Sequence, residues 1–105
     1  MKVLFDQGTP VPLRLHLRSH EVTTVYELAW ATLRNGDLIA QAEVAGFEVL
    51  VTTDQNLKYQ QNLSGQRLAF VVLLSTSWPK IQAKVSEVVA AVDRATPGTY
   101  VEVAI

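Results

Sequence analysis

The stretch Leu68 to Leu74, L-A-F-V-V-L-L, limits the fold more than any other. It is apolar at every position, so a strand built from it has no face to offer water. Such a strand sits in the middle of a sheet covered by helices on both sides.

The rest of the chain supplies the other parts of that architecture. Lys2 to Phe5 is a short apolar run that ends on Asp6 and passes into Gln-Gly-Thr-Pro, which reads as a buried strand and a turn. Val11 to Arg18 alternates like a strand. Thr9 and Pro10, however, form an N-cap and first helical position, Pro12 still fits the first turn, and Leu13 and Leu17 are four apart, so a short helix is expected. His20 to Tyr26 is β-branched and suits a second strand, and a loop runs through Trp30 to Arg34. Leu38, Ile39, Ala42 and Ala45 then share a helical face opened by Asn35 as cap and closed by Gly46. Residues 47–53 read as the third strand and 55–62 as a short polar helix. Ser77 is expected to cap one long helix with Ile81, Val85, Val88, Val89 and Val92 on a face, ended by Thr96, Pro97 and Gly98. The closing T-Y-V-E-V-A-I alternates, as a half-buried edge strand does. The order β-α-β-α-β-α-β-α-β predicts an α/β fold with right-handed crossovers and a mostly parallel five-stranded sheet, within one domain spanning 1–105.

Composition removes several function classes. The chain is 49% hydrophobic and 18% charged, which excludes a disordered segment, and it has no cysteine, which excludes disulfides, thiolate metal sites and a thiol nucleophile. A net charge of −1 means that a nucleic acid would have to be held by a local patch or through a bound cation. No signal-peptide pattern or membrane-spanning run is visible, so a soluble, cytoplasmic protein is expected, with no membrane partner.

In doubly wound sheets ligands bind beyond the carboxyl ends of the strands, where the strand order reverses; for the order 2-1-3-4-5 that point lies between the first and third strands. Asp6 ends the first strand and Asp54 the third, and Asp37 opens the helix that feeds the third. Two carboxylates about 5 Å apart repel by roughly 3 kcal/mol at an effective dielectric of about 20, so a cluster of them calls for a cation or a raised pKa. All-oxygen ligands favour Mg²⁺ or Mn²⁺. Asp37 also suits a helix macrodipole, and Asp54 also suits an N-cap for residues 55–62. Asp6 has no helix start of its own to cap once Thr9 takes that role.

F-D-Q-G-T-P, S-H-E-V-T-T-V, G-D-L-I-A-Q-A-E-V-A-G-F and V-L-V-T-T-D-Q-N-L together resemble a family of short prokaryotic PIN-like proteins, related to the PIN-domain ribonucleases that include VapC-type toxins. The resemblance covers about residues 2–75 and rests most on Asp-Leu-Ile-x-x-Ala paired with Thr-x-Asp. It implies a three-layer α/β/α Rossmann-like PIN fold and a Mg²⁺- or Mn²⁺-dependent ribonuclease that hydrolyses RNA with a metal-activated water. It also implies the toxin half of a toxin-antitoxin pair, with a cognate antitoxin as partner. Position by position, Asp6, Asp37 and Asp54 correspond to the catalytic and metal-binding acids, with Thr52 beside Asp54. Two family acids are replaced by amides, Gln7 and Asn56, and Glu27 is a loose substitute for a further glutamate that the short form lacks. The alternative is a catalytically degenerate PIN-like module that binds RNA or a partner protein.

Arg14, Arg18, Arg34 and Lys58 surround the expected acidic edge and are candidates for RNA phosphates, against the plainer reading of solvated surface charges. His16 and His20 lack a third ligand at metal spacing, and strand-start hydrogen bonding suits His20. Trp30 and Trp78 suit packing better than base stacking or a homodimer contact. Ser75 and Ser77 have no triad histidine. A receiver-like phosphoacceptor with Asp54 as acceptor is a third reading, but Asp6 is followed by Gln7 and no lysine follows the fifth strand through Ile105.

Overall fold

The computed structural model of the chain describes residues 1–60 and 65–105. Five parallel strands form one sheet in the order β2-β1-β3-β4-β5. They are β1 (Lys2–Phe5), β2 (Glu21–Thr24), β3 (Val49–Thr52), β4 (Ala69–Leu73) and β5 (Tyr100–Val103). The register runs straight across, with Val3 opposite both Val22 and Val49, Val49 opposite Ala69, and Phe70 opposite Tyr100. All five residues of β4 are buried, as a strand apolar on both faces requires. The pairing is parallel throughout rather than mostly so.

Alternation along each strand divides the core in two. On one face Val3, Phe5, Val49, Val51, Val71 and Leu73 pack under a 3₁₀ helix (Val11–His16), α3 (Trp78–Ala83) and α4 (Val85–Asp93). On the other, Leu4, Leu50, Leu68 and Phe70 pack under α1 (Asn35–Val44) and α2 (Leu57–Gln60). Each fully buried side chain of this size contributes about 1.5–3 kcal/mol, so both layers are needed to hold the central strands. The architecture is α/β, three-layered and Rossmann-like. No helix among the described residues is long and apolar enough to cross a membrane.

Several local expectations are corrected. The first helix is 3₁₀, with Pro10 at its N-cap; Thr9 caps nothing and instead donates its hydroxyl to the Val51 carbonyl (2.8 Å). The α1 N-cap is Arg34, one residue before Asn35, and no side chain caps it. The long C-terminal helix is two helices, broken at Lys84, whose φ of −115° and ψ of 19° lie outside helical space. Ile81, Val88 and Val92 nevertheless stay on the buried face across the break. Ser77 stands at the N-cap of α3 without a capping bond. Gly46 ends α1 at a φ of 84°, a conformation that glycine adopts without strain. Of the helix expected over 55–62, Leu57–Gln60 is helical and residues 61–62 lie outside the described ones.

Candidate functional site

The carboxyl ends of β1, β2 and β3 form one polar edge, and the buried polar side chains are concentrated there. Thr9, Thr24 and Thr52 are the buried polar or charged residues among those described, and each serves a turn leaving that edge. Thr52, 1% exposed, donates its hydroxyl to Asp6 Oδ2 (2.8 Å) and accepts the Asp54 N–H (3.1 Å). One hydroxyl thus joins the acid that ends β1 to the acid that follows β3. The second oxygen of Asp6 accepts the Gln7 N–H (2.7 Å).

Asp54 is held equally closely. Its Oδ1 accepts the Asn56 N–H (2.9 Å), a side-chain turn that leads the chain toward α2, and its Oδ2 accepts the Asn35 side-chain amide (3.1 Å). The structural reading of Asp54 therefore takes the form of an Asx turn two residues on. Asn35 is the member of this site that sequence reasoning placed elsewhere. A helix-start asparagine is ordinarily a cap; here the first turn of α1 stands at the edge of β3, and the amide is spent on the neighbouring loop.

Asp37 is exposed in the first turn of α1. Among the described residues no three His, Asp or Glu side chains come together in a way that would hold a metal ion, so Asp37 does not complete a cluster with Asp6 and Asp54. The donor chemistry that remains is two carboxylates with hydroxyl and amide oxygens nearby. That set fits a hard cation such as Mg²⁺, which is commonly held by one or two carboxylates plus substrate phosphates. It has nothing to offer a soft metal.

Glu27 lies on the same edge at the end of β2, tied into its own turn. Its carboxylate accepts the Thr24 N–H (2.9 Å) and pairs with Arg14, and its own N–H reaches the Thr24 hydroxyl (3.2 Å). The Thr24 N–H first, and Arg14 second, hold the Glu27 carboxyl below the usual glutamate value. Lys58 likewise donates to Glu102 of β5 (3.0 Å), which keeps its ammonium above, and the Glu102 carboxyl below, their ordinary values. Burial, and then a hydrogen bond to Glu102, pushes the Tyr100 phenol up. Two of the four basic candidates are thus paired with acids of this chain; of the exposed two, Arg34 stands beside Asn35 at this edge, whereas Arg18 precedes β2 at the opposite, amino end of the sheet and does not surround the acids as expected.

The remaining singled-out residues are structural. His20 joins the Met1 ammonium at Nδ1 (3.0 Å) to Asp93 at Nε2 (2.6 Å), tying the start of β2 to the end of α4. Trp30 packs edge-on to Phe47, and Trp78 packs against the other layer beside His16. The Ser75 hydroxyl accepts the Ser77 N–H (3.0 Å), which shapes the turn into α3.

Gly8 completes the edge by its lack of a side chain. A Cβ there would lie 2.2 Å from the Thr53 hydroxyl, so any larger residue at this position would force the Thr53 side chain or the loop after β1 to move. Fold and site together define a parallel α/β protein with two aspartates, Asp6 and Asp54, at its topological switch point. No family model matches the chain, and comparison with curated proteins and with solved structures returned no match.

Proposed function

We propose that the Asp6–Asp54 edge binds a divalent cation and, with it, the phosphodiester backbone of RNA, which the protein hydrolyses as a PIN-like ribonuclease. The observation that carries this reading is the Thr52 hydroxyl, which bonds the Asp6 carboxylate and the Asp54 backbone N–H and so ties together the two acids that follow adjacent central strands at the switch point of the sheet. Thr52 and the Gln7 N–H fix the rotation of Asp6, and Asn35 and the Asn56 N–H fix that of Asp54. Each carboxylate oxygen has two lone-pair directions, and the hydrogen bond each accepts from the described residues leaves a further direction for a cation. Mg²⁺ or Mn²⁺, when bound, would supply charge neutralisation at the phosphate and a more acidic water. Arg34, next to Asn35 in the first turn of α1, is the exposed basic candidate at this edge for a flanking phosphate. In the toxin reading that follows from the resemblance, an antitoxin would act by covering this edge.

The experiment is cleavage of a single-stranded RNA pool by the purified protein with Mn²⁺, with chelator, and in the variants Asp6→Asn and Asp54→Asn. Cleavage that needs the metal and disappears in both variants supports the proposal; cleavage that survives Asp6→Asn ends it. A second reading, a PIN-like module that binds RNA or a partner without cutting, is favoured by the amides Gln7 and Asn56 and by the absence of a third acid beside the pair among the described residues. RNA binding without cleavage, at equal affinity with and without Mn²⁺, would select it.

A further inference from the structure

Beside the outer edge of β5 runs a groove of about 560 Å³ walled by Glu87, Ala90 and Ala91 of α4, by Arg94 at its C-cap, and by Val101 and Val103. Val101 is 41% exposed, although it lies on the α4 face of the sheet, where Val103 is buried. Among the described residues no further strand pairs with the outer backbone of β5. The Thr99 and Val103 carbonyls turn inward to accept the N–H groups of Phe70 (2.8 Å) and Leu74 (3.1 Å). By strand alternation Tyr100 and Glu102 direct their N–H and C=O groups away from β4. Tyr100–Val103 contains no proline or lysine to block a further strand, so this edge is a template for pairing.

The helix above it carries a self-complementary pattern. Glu87, Ala90, Ala91 and Arg94 recur at three- and four-residue spacing and so form one stripe, acid at one end, base at the other and alanines between. Among the described residues Arg94 has no ion pair, and Glu87 has only Lys84 at 3.9 Å.

We infer that a second copy of this chain covers this face in a two-fold dimer, with β5 antiparallel to the partner's β5. Pairing centred on Val101 sets Val101 against Val101 of the partner subunit and Tyr100 against the partner's Glu102. Centring on Glu102 would place two carboxylates directly opposite and is disfavoured. A two-fold axis also makes the two α4 helices antiparallel, so that Glu87 meets the partner's Arg94 twice and the alanines meet midway, where their size lets the helices approach. Isologous contact requires this kind of self-complementarity. The inference is independent of any ribonuclease activity.

Sedimentation velocity over a concentration series tests it. The wild-type chain is expected at twice the chain mass, and Val101→Lys, with a charge at the dyad, at the monomer mass. Arg94→Glu and Glu87→Arg should each weaken association by about tenfold or more, since each reversal creates two like-charge contacts. The double swap Glu87→Arg with Arg94→Glu rebuilds both pairs and should restore the dimer; circular dichroism confirms that each variant is folded. A wild-type monomer at every concentration overturns the inference. So does a dimer indifferent to Val101→Lys, or a double swap no better than the single reversals.

Discussion

Replacing Thr52 by valine keeps the shape of the side chain and removes the hydroxyl that joins Asp6 to Asp54. Two interactions go with it: the bond donated to Asp6 Oδ2 at 2.8 Å and the bond accepted from the Asp54 N–H at 3.1 Å. A hydrogen bond to a charged group contributes about 1.5–3 kcal/mol, and a backbone N–H left without an acceptor costs about 1–3 kcal/mol, toward the low end here because Asp54 is only half-buried. The added methyl returns about 0.8 kcal/mol at a site that is 1% exposed. The net loss for Thr52→Val is therefore about 2–3 kcal/mol. Thr52→Ser keeps both bonds and loses one methyl, a loss of about 1 kcal/mol. The expected stability order is wild type, then serine, then valine, the reverse of what apolar burial alone would give for the two variants. Urea unfolding resolves it: at a slope of about 1–3 kcal/mol per molar, the valine variant should lose roughly 1–2 M in midpoint. A valine variant as stable as the serine variant would refute the claim that this hydroxyl holds the edge together.

Two further outcomes follow from the same edge. Glu27 is held below its ordinary value by the Thr24 N–H and Arg14, so its contribution to stability is complete above the unfolded-state glutamate value, about pH 4.3, and is lost as pH falls through the depressed folded value. Glu27→Gln should remove that part of the acid dependence, seen as a flatter curve of urea midpoint against pH below about pH 5. Gly8→Ala would drive a Cβ to 2.2 Å from the Thr53 hydroxyl and should cost about 1–3 kcal/mol; adding Thr53→Ala should recover most of it, and equal losses in the single and double variants would mean the contact is not the cause.

The parts of the fold written in long apolar runs are the parts legible in the sequence. The unbroken run at 68–74 demanded a covered central strand, and β4 is that strand, buried at every position. The repeat through Ile81, Val88 and Val92 identified a buried helical face, because the face is set by burial rather than by helix continuity. The break at Lys84 left no such mark, since lysine is a good helix former and nothing near it is a glycine or proline. End signals misled where a side chain had a tertiary alternative. Thr9 and Asn35 both have the chemistry of caps, yet Thr9 spends its hydroxyl on β3 and Asn35 its amide on Asp54. Those choices depend on which loops meet at the carboxyl edge, which is decided by strand order and not by local spacing. The juxtaposition of Asp6 and Asp54 was legible for that reason, being a consequence of the order 2-1-3-4-5. That Asp37 joins no three-acid cluster among the described residues was not, because one step along α1 rotates a residue by about 100°.

The central claim is that Asp6 and Asp54 together hold a divalent cation. Its most direct test is Mn²⁺ titration followed by paramagnetic broadening of backbone amide signals in the wild type, Asp6→Asn and Asp54→Asn. Broadening that begins at Gln7, Thr53 and Asn35 and is lost in both variants is the predicted result. A folded wild-type protein whose edge signals stay sharp at millimolar Mn²⁺, or one that broadens elsewhere and equally in all three proteins, would contradict it.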